Sequence, residues 1–322
     1  MFHHTTAGAG GEAMTEKVAT RTWTLPPADD WNVFISSPPP AIDWVVHGLK
    51  RGDVGILSAP GGTGKSMFCL PLADAVSRGK DLFGQWPVGS LGDVIYLYAD
   101  DDTDDLRNRV YYLYQSQSIE SVNFGRIHSF NVRLDPPRFM VSHIIDERGL
   151  LQPQTDVVLA ITQRIISICN NPRLLIIDPL RKFHTLEENS NTEMEQLLTF
   201  FARWASELRV ALLLVHHTGK SAVLNGQGNT QQSARGASAI VDQARWHVTL
   251  QKNSEPDATR YNIPPADTWK YIVAHNAKIN GTEPLPDLLL ERGPGGVLMR
   301  ADIQTTIGLK VVHRGRRGEI TW

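Results

Sequence analysis

The sequence has few cysteines, no long apolar run and almost no net charge. Its 322 residues include only Cys69 and Cys169, which lie far apart and without histidines at metal-ligand spacing. A disulfide framework or a zinc site is therefore not expected. The low cysteine content fits a protein of the reducing cytoplasm. Apolar runs such as 210–215 are too short to span a bilayer, and the first residues lack the apolar core of a signal peptide. Because the formal net charge is -2, any contact with nucleic acid must come from a local basic patch.

What the sequence does contain is an alternation of short apolar runs with amphipathic segments. Strands that are apolar on both faces and alternate with helices are typical of a parallel sheet covered by helices. We therefore expect an α/β fold with a mostly parallel central sheet. The helix that follows Ser190 is expected to begin with a capping box made by Ser190 and Glu193. The predicted strands are 54–59, 93–99, 127–130, 173–178, 210–215, 246–250 and 269–275, and the predicted helices are 65–79, 105–114, 156–170 and 190–208.

The clearest motif is APGGTGKS at 59–66, which fits a P-loop except that alanine stands at the first position. The glycines let backbone N–H groups turn toward phosphate oxygens, and the helix that follows points its positive end at the same anion. A glycine-rich turn with a chance Lys-Ser is the alternative, but the strand before and the helix after favour a P-loop. Lys65 is expected to reach the outer phosphates of ATP, and the Ser66 hydroxyl to bind Mg²⁺. The predicted nucleotide contacts are Ala59, Pro60, Gly61, Gly62, Thr63, Gly64, Lys65, Ser66 and Met67.

Two carboxylates follow predicted strands at the edge where ligands collect in open α/β sheets. Asp178 ends one of these strands and is expected to hold the metal ion, although an aspartate that merely opens a turn is the alternative. Asp100 ends another, and we expect it to orient the attacking water as the catalytic carboxylate. The neighbouring Asp102 and Asp104 fit better as the solvated N-terminus of a helix.

Two adjacent histidines, His216 and His217, follow the apolar run 210–215. An imidazole at a strand end beside a P-loop is placed to hydrogen-bond the γ-phosphate and report its presence. A packed histidine at the sheet edge is the alternative for each of them. No Asn-Lys-x-Asp motif for guanine follows, and no arginine-rich lid typical of small-molecule kinases is evident, so an ATPase of another kind is favoured.

The chain resembles the RepA-type hexameric replicative helicases of broad-host-range plasmids, which are RecA-like P-loop ATPases. The resemblance implies a ring of six subunits, ATP bound between neighbours and single-stranded DNA in the centre. A replication initiator or a primase is a further partner that it implies, and no membrane is expected. The resemblance extends with gaps from about residue 41 to residue 296, in APGGTGKSM, VIYLYADDD, LLIIDPLRKFHTLEENS, LLLVHHTGKSA and QQSARGASAIVDQARW.

By position, the resemblance makes Lys65 and Ser66 the Walker A pair, Asp178 the Walker B acid, and His216 or His217 the phosphate sensor. Asp100 falls where the family has a catalytic glutamate, which is one methylene longer.

Three cations are also assigned by the resemblance. Arg245 becomes the arginine finger that is donated to the ATP of the neighbouring subunit, and an ion pair with Asp242 is the alternative. Arg109 falls at an arginine near the nucleotide, although a surface helix arginine is an equally good interpretation. Lys278 falls where such enzymes place a second cation at the subunit interface.

The segment 218–234 is the best candidate for DNA contact, because a long, polar, glycine-punctuated loop can follow phosphates without reading sequence. A surface loop without a ligand is the alternative, although loops this long inside a domain are usually functional. A second channel loop is expected within 131–143. The predicted DNA contacts are Lys220, Asn225, Gln227, Asn229 and Arg235.

The chain is then expected to divide into three parts. Residues 1–40 form a disordered lead-in and a proline-rich arm, 41–300 form the RecA-like ATPase domain, and 301–322 form a basic tail. This tail either adds affinity for DNA or is simply solvated. Two alternative functions fit the same motifs. One is a DNA-binding ATPase that does not unwind, such as a recombination mediator or a replication regulator. The other is an ATPase switch that acts on protein partners.

Overall fold

The computed structural model of the protein describes residues 24–116, 124–217 and 239–301, and the chain divides into two compact units. In the first unit, 1–41, the described residues contain the helix α1 (Trp31–Ser36). Asp30 caps this helix, because its side chain accepts a hydrogen bond from the Asn32 N–H. Large apolar side chains of the helix are exposed, including Trp31 at 78% and Ile35 at 83%. The proline-rich arm therefore contains a short helix as well as extended chain.

The second unit, 42–322, is built around a nine-stranded sheet in its described part. The described strands are β1 (Trp44–Val46), β2 (Leu49–Lys50), β3 (Val54–Ala59), β4 (Asp93–Tyr98), β5 (Ile127–Asn131), β6 (Met140–Ile145), β7 (Leu151–Pro153), β8 (Pro172–Asp178), β9 (Ala211–His217), β10 (Trp246–Lys252), β11 (Tyr271–Ile279), β12 (Leu288–Arg292) and β13 (Leu298–Arg300). The described helices of this unit are α2 (Lys65–Arg78), α3 (Thr103–Ser116), α4 (Thr155–Ile168), α5 (Asn191–Leu208), α6 (Ala239–Gln243) and α7 (Glu255–Arg260).

The large sheet has the strand order β13-β12-β11-β10-β3-β9-β8-β4-β5. All pairs from β10 through β3, β9, β8 and β4 to β5 are parallel, whereas β10, β11, β12 and β13 pair in antiparallel fashion. The expectation of a mostly parallel α/β sheet is confirmed. The predicted strands from 54–59 to 269–275 all lie within it. The strands β12 and β13 were not predicted, because their short apolar runs lack a clear period.

Helices cover both faces of the sheet and enclose two large hydrophobic clusters. One cluster packs α2 and α3 against one face, and the other packs α4 and α5 against the opposite face. In α5 the side chains of Met194, Leu197, Phe201 and Trp204 form a buried apolar stripe. The capping box predicted for the start of α5 forms only in part. The Ser190 hydroxyl does accept from the Glu193 N–H, but the Glu193 carboxylate accepts from the N–H of Glu187.

None of the helices that the structure describes is both long and apolar enough to cross a bilayer.

Phe139 lies in the centre of an aromatic cluster between α5 and the sheet. Its ring is fully buried and contacts the rings of Phe183, Phe201 and Trp204, with the Trp204 centroid 5.1 Å away. We expect Phe139→Ala to lower the free energy of unfolding by about 3–5 kcal/mol, because it leaves a cavity that rigid neighbours cannot fill. Urea titration measures this loss. The control is Leu134→Ala, whose side chain is 94% exposed and which should change stability by less than about 0.5 kcal/mol. Equal effects would contradict this description of the core.

Candidate nucleotide-binding site

The P-loop connects the carboxyl end of β3 to the N-terminus of α2, at an edge of the parallel sheet. Gly62 has a φ of 70° and Gly64, which caps α2, has a φ of 109°. Both values lie in the region that only glycine adopts without strain. Open space surrounds the position of a Cβ at Gly61 and Gly62, so the backbone rather than crowding requires glycine at position 62. The loop is therefore shaped for a phosphate group at a helix N-terminus.

The ammonium group of Lys65 lies folded over this loop. Its Nζ donates to the carbonyl oxygens of Ala59 at 3.1 Å and Pro60 at 3.2 Å, and it lies 3.1 Å from Nδ1 of His217. Burial lowers the pKa of Lys65, and the charge of Asp178 opposes that shift. In this contact the ammonium donates and Nδ1 of His217 accepts, because an ammonium group has no acceptor to offer.

Asp178 is the buried centre of the site. Its Oδ2 accepts from the Ser66 hydroxyl at 2.8 Å and from the Tyr96 hydroxyl at 2.7 Å. Burial raises the pKa of Asp178, although both hydrogen bonds and Lys65 favour the charged form. A hydroxyl and a carboxylate are the hard oxygen donors that Mg²⁺ prefers, and this ion usually completes its shell with phosphate oxygens and water. The donor set of Ser66 and Asp178 therefore fits the predicted magnesium ion.

The three consecutive aspartates after β4 have different surroundings. Asp100 borders the cleft beside Lys65, and its half-exposed carboxylate lies 3.8 Å from Nζ of Lys182. Asp101 makes a two-bond pair with the guanidinium of Arg109. Asp102 accepts from the N–H of Asp105 at 2.9 Å and so caps α3. Of these three aspartates, only Asp100 and Asp101 border the cleft. Because Asp101 is already held by Arg109, Asp100 is the better candidate to orient a water molecule.

The structure separates the two histidines at the end of β9. Successive residues of a strand point to opposite faces, and Val215 and His217 lie on the face that α2 covers. His216 lies on the other face, where it is buried near His184 and His247. Burial is the main cause that lowers the pKa of both His184 and His247 to about 3. His217 is therefore the histidine that can meet a phosphate on the P-loop.

Arg245 and Lys278 lie at the opposite edge of the sheet. The Arg245 N–H donates to the carbonyl of Val54 at the amino end of β3, and a strand of this length places that end about 17 Å from the P-loop. Lys278 pairs with His247 on the neighbouring strand, and its Nζ donates to the Asp242 carbonyl at 2.7 Å. Burial lowers the pKa of Lys278, and the charge of Arg245 adds to the shift. These two cations therefore form a pair outside the cleft of their own chain.

The remaining predicted residues are placed as follows. Met67 and Arg109 border the cleft with the P-loop glycines, whereas the Thr63 side chain is buried. In the predicted second channel loop, irregular chain with a bend at the exposed Leu134 joins β5 to β6. The predicted DNA contacts Lys220, Asn225, Gln227, Asn229 and Arg235, and the tail from residue 302 onward, lie outside the described residues.

Sequence reasoning missed several residues of the site, including Tyr96, Arg292 and the cleft glycines 295 and 296. Tyr96 stands inside the apolar run of β4 and next to Ile176 of the strand that ends in Asp178, which was the available signal. Arg292 follows the apolar run of β12, and its Nη2 donates to the carbonyls of Gly62 at 3.1 Å and Thr63 at 2.8 Å. No pattern near Arg292 points to the P-loop, because the two segments lie 230 residues apart.

Asp178→Asn keeps the shape of this side chain and removes a charge that burial disfavours. Burial raises the pKa of Asp178 above its value in an unfolded chain, so the folded state gains stability as the carboxyl binds a proton and loses it as the pH rises. We expect the variant to melt above the wild type at pH 7 without nucleotide or divalent cations. The difference should shrink as the pH falls through the raised pKa.

Thermal melting over a pH series measures this difference. The control is Asp135→Asn, which removes an exposed carboxylate and should leave the melting temperature nearly unchanged. A variant of Asp178 that melts below the wild type at pH 7 would contradict the assignment of a costly buried charge.

Comparison with known proteins agrees with this geometry. Two solved structures share the fold. One is titled "ATPase Domain of G40P", with a TM-score of 0.53 and 11% identity over 78% of this chain and 86% of that chain. The other is titled as a DnaB-like replicative helicase and its interactions with primase, with a TM-score of 0.56 and 14% identity over 79% of this chain and 58% of that chain. At these identities the likeness shows the fold, which is that of the RecA-like P-loop ATPases.

The family model AAA_25, described as an AAA domain, matches residues 21–223, which is more than half of the chain and includes the P-loop, Asp178 and His217. The chain therefore belongs to the AAA_25 family of AAA domains.

Proposed function

We propose that the protein hydrolyses ATP and uses the energy to move on single-stranded DNA as a ring-shaped helicase of the RepA type, in plasmid or phage-type replication. The observation that carries the ATPase part is the hydrogen bond of 2.8 Å between Ser66 and Asp178 beside the ammonium of Lys65. These three side chains come from two elements that are more than 100 residues apart. Their meeting at the helix N-terminus supplies the cation and the metal ligands that bind a nucleoside triphosphate with its magnesium ion.

Each residue of the cleft has a role in this reaction. The N–H groups of the loop hold the phosphates, and Lys65 exchanges its carbonyl acceptors for phosphate oxygens. Ser66 and Asp178 would hold Mg²⁺, which when bound neutralises charge on the phosphates. Asp100 orients a water molecule and accepts its proton as the water oxygen bonds to the γ-phosphorus and the bond to ADP breaks. His217 leaves Lys65 and donates a hydrogen bond to the γ-phosphate, so its position reports whether that phosphate is present.

The position of Arg245 and Lys278 supports the proposed ring. A guanidinium stabilises the charge that builds on the γ-phosphoryl oxygens during cleavage, but Arg245 lies about 17 Å from its own P-loop along β3. It is exposed and so accessible to another subunit. In a head-to-tail ring this edge faces the cleft of the next subunit, and a rotation that closes gives a hexamer or another cyclic form. Hydrolysis then depends on contact between subunits.

The DNA part of the proposal rests on the sequence and on the shared fold. The segment 218–234 follows His217 directly, so a change at the γ-phosphate is transmitted to the loop that we assign to DNA. The similarity in fold to a DnaB-like replicative helicase, whose structure describes its interactions with primase, supports a role in replication and primase as a partner. A replication initiator is the other partner that we propose.

The ATPase rate with and without single-stranded DNA tests the proposal. We expect magnesium-dependent hydrolysis that single-stranded DNA stimulates, with an affinity for DNA that falls as salt rises, because lysine and arginine contacts release counterions. Lys65→Ala should abolish hydrolysis in both conditions. Stimulation without strand displacement on a forked duplex would favour a DNA-binding ATPase that does not unwind. Hydrolysis that ignores DNA would favour a switch that acts on protein partners.

Arg245→Ala tests donation between subunits. We expect the variant to keep its affinity for ATP and to lose turnover by roughly 10³-fold, which is the size of the effect of an arginine finger. The control Arg203→Ala removes an exposed arginine that pairs with Glu207 on α5 and should keep full turnover.

Mixing two inactive variants tests whether Arg245 acts on the ATP of a neighbouring subunit. A Lys65→Ala subunit cannot use its own cleft, but it still carries Arg245. Its addition to Arg245→Ala subunits should therefore restore part of the turnover, since mixed rings contain intact composite sites. An activity that stays at the level of the separate variants would refute donation in trans.

A further inference from the structure

Arg292 is a cation of the nucleotide cleft that lies beyond the segment matched by the family model, which ends at residue 223. In β12 the side chains of Leu288 and Leu290 pack into the cluster on the α2 face, and Arg292 follows on that same face by the alternation of a strand. Its Nη2 donates to the carbonyl oxygens of Gly62 at 3.1 Å and Thr63 at 2.8 Å. One guanidinium nitrogen therefore holds two consecutive peptide groups of the P-loop.

Because the peptide group is planar, the contact of Arg292 with the Thr63 carbonyl also sets the direction of the next N–H in the loop. In a trans peptide the N–H points away from the C=O of the same plane. The Thr63 carbonyl shares its plane with the Gly64 N–H, which lies at the N-terminus of α2. When Arg292 holds the carbonyl on one side, the Gly64 N–H points to the other side. That is the direction in which an N–H must point to bind a phosphate oxygen.

The positive charge of Arg292 would also attract a phosphate bound in the cleft. Burial lowers the pKa of Arg292, and no carboxylate of the described residues lies within ion-pair distance of it. A half-buried cation whose protein acceptors are carbonyl groups pays a cost in desolvation that a nearby anion reduces. A phosphate in the cleft therefore gains attraction from Arg292 as well as from Lys65.

The neighbours of Arg292 fix its place against the loop. A Cβ built on Gly64 would lie 3.5 Å from Ile272 and from Leu298, and 3.6 Å from Nη1 of Arg292. Ile272 pairs with Leu290, and Arg292 pairs with Leu298 across β12 and β13. The three antiparallel strands thus press one apolar and cationic surface onto the P-loop glycine that caps α2.

We infer that Arg292 is a positioning residue of the nucleotide site, which holds the Gly62 and Thr63 peptides so that the P-loop is ready for the phosphates shared by ATP and ADP. The inference rests on the proposed ATPase function and adds to it the residue that shapes the loop from the C-terminal strands. Arg292 acts from the carbonyl side of the loop, so its effect is on binding rather than on cleavage of the γ-phosphate.

Binding and turnover of Arg292→Met test this inference. We expect Kd for MgADP and for a non-hydrolysable MgATP analogue to rise together by about tenfold, the size expected when a charged donor loses its hydrogen bonds. The kcat at saturating ATP should stay within about threefold of the wild type. Arg292→Lys keeps the charge but not the planar fork, and should recover only part of the affinity.

The matched control is Arg300→Met, which removes an exposed arginine from the adjacent strand β13 and should leave both affinities unchanged. Thermal melting shows that each variant is folded, and Arg292→Lys serves if Arg292→Met is not. Unchanged affinities, full recovery by lysine, or a loss confined to ATP or to kcat would each overturn the inference while the ATPase stands. A wild-type protein that binds neither nucleotide would instead refute the proposed function.

Discussion

The hydrogen bonds on the buried carboxylate of Asp178 are the interaction on which the site depends. Parallel pairing sets β8 beside β4, and this places Tyr96 behind Asp178 while α2 supplies Ser66 from the other side. The carboxylate is held in one position, and its burial is unfavourable until a cation arrives. In the proposed ATPase, a bound magnesium ion would relieve this unfavourable burial, so the site would gain free energy from its ligand that the empty protein lacks.

The antiparallel strands extend this site to both edges of the sheet. β11 spans nine residues and begins near the P-loop, where Ile272 packs against Gly64, and it ends at the far edge with Lys278 beside Arg245. β12 returns to the P-loop edge and brings Arg292 to the glycine loop. Under the proposed function, the same group of strands serves the nucleotide of its own chain and presents cations to a neighbour. In the proposed ring, each subunit interface connects two clefts through these strands.

Much of the parallel half of the fold could be predicted from the sequence, because a buried strand is a continuous apolar run and a P-loop has a fixed spacing. The position of Asp178 beside the P-loop could be predicted for the same reason, because it ends such a run. The choice between His216 and His217 could not be made, since one register step decides which face each imidazole occupies. Arg292 was missed because its contact joins segments that lie 230 residues apart. The local hydrophobic periodicity of a sequence does not predict such a contact.

A cryo-EM structure of the protein with a non-hydrolysable ATP analogue, Mg²⁺ and single-stranded DNA tests the central claim, that the cleft of one chain is completed by the next. The account predicts that the Arg245 guanidinium of one subunit lies within hydrogen-bond distance of the γ-phosphate held by Lys65 of its neighbour. Filled clefts in which the γ-phosphate meets no cation from another subunit would contradict it.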